Sequence, residues 1–184
     1  MTTSRIHILR IPVVILVLLF TTMSVAWGAP ISLRYVGTGW NTAIDNFDDG
    51  FPVTISTADA KGSFGASRVE ITGEWMQGDF EGVECDEDYT ELILAFSASV
   101  ATFENQSQLF AFSNIGWMCV NVSPDSGHYH GQVFGIYNGG SGRFEGATGQ
   151  WMTDYSGFFL EPPVFKTIGF RSITGTVKGN VELP

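Results

Sequence analysis

Basic residues are scarce in this chain. Lys and Arg together number 9 against 19 Asp and Glu, which gives a formal net charge of −10 at pH 7. Because nucleic-acid binding depends on basic contacts to phosphate, this balance argues against nucleic acid as a partner. The same excess of acid argues against anionic membrane surfaces and favours solubility.

Helical periodicity is also missing after residue 30. Short runs of β-branched and aromatic residues recur instead, punctuated by Gly, Asp and Asn, and many alternate between apolar and polar positions. This pattern is typical of a single all-β domain, a sandwich or a barrel, with eight or nine short strands. We predict strands within Ile31–Gly37, Phe51–Thr57, Arg68–Trp75, Glu91–Phe103, Gln108–Ser113, Trp117–Val122, Gly131–Tyr137, Gly149–Gly157 and Gly169–Leu183.

A long apolar run occurs once, near the start of the chain. Ile11–Phe20 follows a segment with two Arg and no acid, and small residues then lead to a cleavage site before Ala29. These features predict that residues 1–28 form a secretory signal helix that is removed. The alternative, a retained membrane anchor, would need about 20 apolar residues, and polar residues from Thr21 onward interrupt the run.

Signal cleavage leaves one predicted domain, 29–184, secreted or periplasmic and not membrane-bound. Lys plus Arg then falls from 9 to 7 while all 19 acids remain, so the net charge becomes −12. Cysteine is rare: Cys85 and Cys119 are the two present, and in an oxidising compartment an even count predicts one disulfide. Closing a loop of about 35 residues would stabilise the fold by about 3–4 kcal/mol. A pair of free thiols is the alternative, although no CxxC spacing supports it.

The glycine-rich stretch Asn138–Trp151 raises the question of a phosphate-binding loop. A Walker loop needs a lysine, and a dinucleotide-binding loop needs a following helix, and the stretch offers neither. It is better interpreted as a β-hairpin, with Gly139 and Gly140 at positive φ in the turn and Phe144 packed inward. A similar pattern of residues in Lys61–Trp75 suggests a second barrel corner of the same kind.

The segment "GIYNGGSGRFEGATGQW" resembles the hairpin motif of the allene oxide cyclase and dirigent-like barrels. The resemblance extends more loosely from "HYHGQVFGIY" through "ITGTVKG", about a third of the chain. It implies a single antiparallel eight-stranded barrel of the calycin or allene oxide cyclase type, with an apolar cavity and often a homo-oligomeric state. Plant allene oxide cyclases have a cavity glutamate in the first strand, but "ISLRYVGTGWNTAIDNF" contains no glutamate. We therefore transfer no catalytic residue.

Aromatic side chains inside the predicted strands are the best candidates for contact with a ligand. In a small barrel the interior is either filled by side chains or leaves room for one ligand. Met118 and Val120 are expected in the core, so the opposite face of their strand could instead meet a partner subunit. We predict the ligand-binding residues to be Trp75, Phe96, Trp117, Asn121 and Tyr137.

Histidines and clustered acidic residues are possible metal ligands, but the sequence does not decide whether they bind a metal. His128 and His130 share a strand face and either bind a divalent metal or face solvent. The acidic clusters Asp45–Gly50 and Glu84–Glu91 either hold Ca²⁺ loosely or form solvated turns. We assign no metal and no cofactor.

The alternation of side chains along a strand also predicts which face the carboxylates of the strand Arg68–Trp75 occupy. Glu70 falls opposite Val69 and Ile71, which is expected to place it in solvent, and Glu74 shares its face. Neither is therefore expected inside the barrel.

Three functions remain open at this point. The first is binding of an apolar small molecule inside the barrel, and the second is a cyclase or isomerase that works by cavity shape. The third is a packed structural barrel without a ligand. A cavity with only apolar walls would favour the first function, an inward carboxylate or tyrosine the second, and a filled interior the third.

Overall fold

The computed structural model describes residues 28–48, 51–121, 127–159 and 170–184. These residues form eight antiparallel strands that close into a barrel in chain order, because the first strand also pairs with the last. The predicted eight-stranded antiparallel barrel is confirmed, whereas the predicted signal peptide lies, except for Gly28, outside the described residues. The strands are β1 (Ala29–Asn41), β2 (Thr54–Gly62), β3 (Gly65–Gln77), β4 (Tyr89–Phe103), β5 (Gln108–Asn121), β6 (His128–Ser141), β7 (Thr148–Phe159) and β8 (Phe170–Glu182).

Alternation along the strands determines which side chains fill the barrel and which face solvent. On β1 the side chains of Ile31, Leu33 and Tyr35 are buried, while Ser32 and Arg34 between them are exposed. Successive side chains of a strand point to opposite faces of the sheet, so one set of positions fills the barrel and the other meets solvent.

Two apolar clusters close the interior, one toward each end of the barrel. We name them the Arg171 end and the Phe144 end, after the residues that define them below. The Arg171-end cluster comprises Tyr35, Ala58, Ala60, Trp75, Leu92, Leu94, Met118, Val120, Tyr129, Val133, Tyr155 and Ile173. The Phe144-end cluster comprises Ile31, Leu33, Ala101, Phe103, Leu109, Ala111, Tyr137, Phe144, Ala147 and Val181.

A β-bulge in β4 changes which residues of that strand face inward. Glu74 pairs with Phe96 but Trp75 pairs with Leu94, so Ala95 is an extra residue on β4. An extra residue reverses the alternation on its two sides. As a result Leu94 and Ser97, which are three residues apart, both line the interior.

A second irregularity explains why two of the predicted strands are one. Gln108–Ser113 and the described part of the second predicted strand, Trp117–Asn121, both belong to β5, and its register with β6 shifts between Phe112 and Ile115. The Ser113 hydroxyl accepts a hydrogen bond from the Ile115 amide at 3.1 Å and so stabilises the bulge. Beyond it Met118 is buried in the core, as predicted.

The glycine-rich stretch is a hairpin corner, as predicted, but its turn lies later than expected. Positive φ values occur at Gly139 (124°) and Gly142 (60°), and Gly142–Phe144 forms a 3₁₀ turn. Gly140 is needed for a different reason, since a Cβ there would lie 2.2 Å from the Gln108 carbonyl oxygen. The described residues contain no helix long and apolar enough to cross a membrane.

Phe144 seals one end of the barrel. Its ring is fully buried and lies 4.9 Å from the ring of Phe103 and 5.4 Å from that of Phe64. The Arg143 guanidinium lies over all three rings, at 4.7–5.5 Å from their centroids. Phe64 belongs to the turn between β2 and β3, so the two similar corners meet at this end.

The predicted disulfide between Cys85 and Cys119 is confirmed. Cys119 is on the outer face of β5, yet it is buried beneath the segment that joins β3 to β4. The bond therefore fastens that segment to the barrel wall.

Parity placed both carboxylates of β3 on the outer face, as the structure confirms, but it did not predict that one of them is buried there. Glu70 is exposed as predicted, but Glu74 on the same outer face of β3 is fully buried. The segment between β1 and β2 covers it, and Asn46 donates two hydrogen bonds to its carboxylate. Strand parity gives the face of a side chain and cannot show that a loop lies over it.

Candidate ligand cavity

A cavity of about 120 Å³ lies inside the barrel between the two apolar clusters. It exists because one part of the wall carries small side chains where the rest carries large ones. The small side chains are Ala60, Ser97, Ser99, Ala101 and Ala111. The larger apolar residues of the wall include Leu33, Leu94, Leu109, Val133, Ile173 and Val177.

Polar groups of the lining concentrate toward the Arg171 end. Arg171, near the start of β8, is buried with 6% of its surface exposed, and its Nη2 donates to Thr54 Oγ1 at 3.0 Å and Ser56 Oγ at 3.1 Å. Both acceptors are on β2, so the guanidinium spans the width of β1 to reach them. It is the one charged group among the described lining residues.

Three tyrosines also face the cavity. The Tyr35 hydroxyl lies 3.1 Å from Thr153 Oγ1, and the Tyr155 hydroxyl donates to the Trp117 carbonyl oxygen at 3.3 Å. Burial raises the pKa of Tyr35 to about 12, and it also raises the pKa of Tyr137 and of Tyr155 above the ordinary tyrosine value. These phenols are therefore neutral at physiological pH and act as hydrogen-bonding groups rather than bases.

The five predicted ligand-binding residues separate into two groups. Trp75 and Tyr137 line the cavity, at its opposite ends. Phe96, Trp117 and Asn121 are not among the lining residues and are half-buried in the barrel wall.

The bulges account for the position of Phe96 and Trp117. The extra residue on β4 reverses parity, so Phe96 lies on the outer face while Ser97 faces inward. Trp117 follows the bulge of β5 and lies on the outer face, where its ring meets that of His130 at 5.9 Å.

Sequence reasoning missed the polar part of the cavity, and one signal could have found it. In the segment "FRSITG", Arg171 has the same parity as Ile173, so the alternation places both inside the barrel. Tyr35 and Tyr155 follow from the same argument on β1 and β7. Thr54 and Ser56 alternate with Ile55, so the sequence alone would place these two polar side chains on the outer face of β2.

The other polar candidates lie outside the cavity. His128 and His130 are exposed on the outer face of β6, where His128 lies against Phe158 and His130 against Tyr89 and Trp117. In the described part of the chain, no three His, Cys, Asp or Glu side chains are grouped so that they could hold a metal ion.

Comparisons with protein-family models, with curated proteins and with solved structures found no match for this chain. The class of protein is therefore defined by its architecture, an eight-stranded antiparallel barrel with a largely apolar internal cavity.

Proposed function

We propose that this protein is exported and binds a compact apolar molecule inside its barrel. The observation that carries the proposal is the cavity of about 120 Å³ between the two packed ends. An engineered apolar cavity of about 150 Å³ in another protein stays dry and holds benzene. The space here suits a ligand of about one ring or a short branched chain rather than a long one.

The distribution of groups in the wall also favours binding. Ligand pockets are typically apolar with a few polar groups that fix orientation. Here the apolar wall surrounds most of the cavity, and the polar residues Arg171, Thr54 and Ser56 lie together at one end. Such an arrangement gives a ligand a defined direction inside the barrel.

The proposed export rests on two features of the chain. The predicted signal peptide would direct residues 29–184 out of the cytoplasm. The Cys85–Cys119 disulfide is of the kind that persists in an oxidising compartment, outside the cell or in a periplasm.

A cyclase or isomerase is the second candidate, and the inward tyrosines favour it. Hydroxyl groups on Tyr35, Tyr137 and Tyr155, together with Arg171, could orient and polarise a reactive molecule. The resemblance to allene oxide cyclase and dirigent-like barrels points the same way. Binding remains the first candidate because the described lining residues include no carboxylate or imidazole to act as a base, and the tyrosines are protonated.

A pair of matched variants tests the proposed binding. Ala101 faces the cavity and Ala98 faces outward from the same strand, so Ala101→Leu fills the space and Ala98→Leu does not. Toluene serves as the probe, measured by titration calorimetry and by tryptophan fluorescence, because Trp75 and Trp151 line the cavity.

We expect the unsubstituted protein and Ala98→Leu to bind toluene equally. Ala101→Leu should bind it at least about tenfold more weakly, a loss of about 1.4 kcal/mol. Absence of binding to the unsubstituted protein, or equal binding by both variants, would contradict the proposal and favour a packed structural barrel.

A further inference from the structure

Arg171 carries a buried charge, and the described residues pair with only some of its hydrogen-bond donors. A guanidinium has five N–H donors and remains protonated in proteins. Nη2 uses its two donors on Thr54 and Ser56. Nε is buried and has no hydrogen-bond partner, and no carboxylate in the described part of the chain forms an ion pair with Arg171.

The surroundings of Arg171 are built to admit this side chain. Gly39 faces inward from β1, next to Arg171 in the register, and a Cβ there would lie 3.0 Å from Nε and 2.3 Å from Ser56 Oγ. A glycine at this position therefore leaves the space in which the guanidinium crosses β1. The ring of Tyr129 lies 5.8 Å from the guanidinium carbon.

Among the described residues, the polar groups near Arg171 do not supply the missing negative charge. The Tyr129 hydroxyl donates to the Ser172 carbonyl oxygen, and Tyr35 pairs with Thr153. Burial raises the pKa of both phenols, so neither is a phenolate at neutral pH. A buried charge without a counterion is strongly unfavourable, and an anion from outside would relieve that cost.

We propose that Arg171 binds the carboxylate of a compact apolar monoanion, whose apolar body fills the cavity. This proposal rests on the proposed function and adds the chemical class of the ligand. A single guanidinium matches a single negative charge, and because Nη2 is engaged by Thr54 and Ser56, the carboxylate would accept from the donors that remain. The cavity volume of about 120 Å³ limits the body to about one ring.

Benzoate and benzamide test this assignment, because they share a shape and differ in charge. We expect the unsubstituted protein at neutral pH to bind benzoate about 10-fold to 100-fold more tightly than benzamide, the difference a charge-assisted hydrogen bond gives. Arg171→Gln should remove this preference and weaken benzoate binding at least about tenfold more than toluene binding. Lys178→Gln, which removes a cation from the outer face of the same strand, is the matched control and should change neither.

The outcomes separate the two proposals. Equal binding of benzoate and benzamide by the unsubstituted protein would overturn the role of Arg171, even if Arg171→Gln failed to fold. An equal loss of toluene and benzoate in Arg171→Gln would show a purely structural role and would overturn it too. If toluene, benzamide and benzoate all fail to bind, both the role of Arg171 and the proposed ligand-binding function are contradicted.

Discussion

The Glu74 carboxylate accepts two hydrogen bonds from one residue, Asn46. The backbone N and the side-chain Nδ2 of Asn46 each lie 2.6 Å from a Glu74 oxygen. Asn46 belongs to the segment between β1 and β2, next to the Arg171 end of the cavity. This contact holds that segment against the outer face of β3, so the stability of the barrel end depends on a carboxylate outside the barrel.

Replacing Glu74 by Gln should therefore destabilise the protein. The amide cannot accept both hydrogen bonds, and its NH₂ group would face a donor of Asn46. We expect a loss of about 1–3 kcal/mol in the free energy of unfolding, measured by urea denaturation. Glu70→Gln on the same face is the control, and this exposed substitution should cost less than about 0.5 kcal/mol. Equal effects of the two substitutions would contradict the account.

Loss of the disulfide should also destabilise the barrel. Cys85 and Cys119 are 34 residues apart, and opening such a loop costs about 3–4 kcal/mol on the chain-entropy model. The Cys85→Ala/Cys119→Ala double variant should unfold at correspondingly lower urea concentration than the oxidised protein. A reducing agent should lower the stability of the unsubstituted protein and leave the double variant unchanged. A double variant as stable as the oxidised protein would show that the bond contributes nothing.

Phe144 should be among the most sensitive positions in the chain. Removing a fully buried phenylalanine ring costs about 3–5 kcal/mol, and here the rings of Phe64 and Phe103 would lose their contact as well. Phe158→Ala, on the exposed face of β7, provides the comparison and should cost far less. The difference is measured by thermal and urea unfolding of both variants, and similar losses would argue against a seal at this end.

Alkaline pH should unfold the protein. Burial raises the pKa of Tyr35, Tyr129, Tyr137 and Tyr155, so the folded state favours the neutral phenol more than the unfolded state does. Their contribution to stability is complete below about pH 10, the ordinary tyrosine pKa, and is lost as pH rises through the higher folded-state values. For Tyr35, whose pKa is about 12, the contribution is on the order of 2–3 kcal/mol.

The absorbance of tyrosinate measures this effect directly. We expect these tyrosines to ionise only as the barrel unfolds, and Tyr35→Phe to show a smaller loss of stability above about pH 10. Ionisation of all the tyrosines near their ordinary pKa, with the fold intact, would be inconsistent with their burial.

Much of the fold could be predicted because alternation is a local property of each strand. The buried positions of β1 follow directly from "ISLRY", and Phe144 was expected to pack inward from its place in the hairpin. The disulfide followed from a count of two cysteines. The positions of the bulges did not follow, since they depend on how neighbouring strands pair, and Phe96 lies on the outer face for that reason.

The cavity was harder to predict because its walls come from all parts of the chain. Trp75 and Tyr137 were expected to contact a ligand, and they line the cavity. The space itself depends on small residues such as Ala101 and Ser99 lying together on one side of the wall, which no single strand reveals. Arg171 could have been found by parity, but its missing partner is visible only when the neighbouring strands are in place.

The central claim, a barrel that carries a small apolar ligand, is tested most directly by native mass spectrometry of the mature protein purified from its own route of export. The account predicts a constant extra mass on the order of 100–200 Da, the size that a cavity for about one ring admits. This mass should disappear on denaturation and be replaced by benzoate when that acid is added in excess. A bare protein mass in several preparations, with no uptake of benzoate or toluene, would contradict the claim.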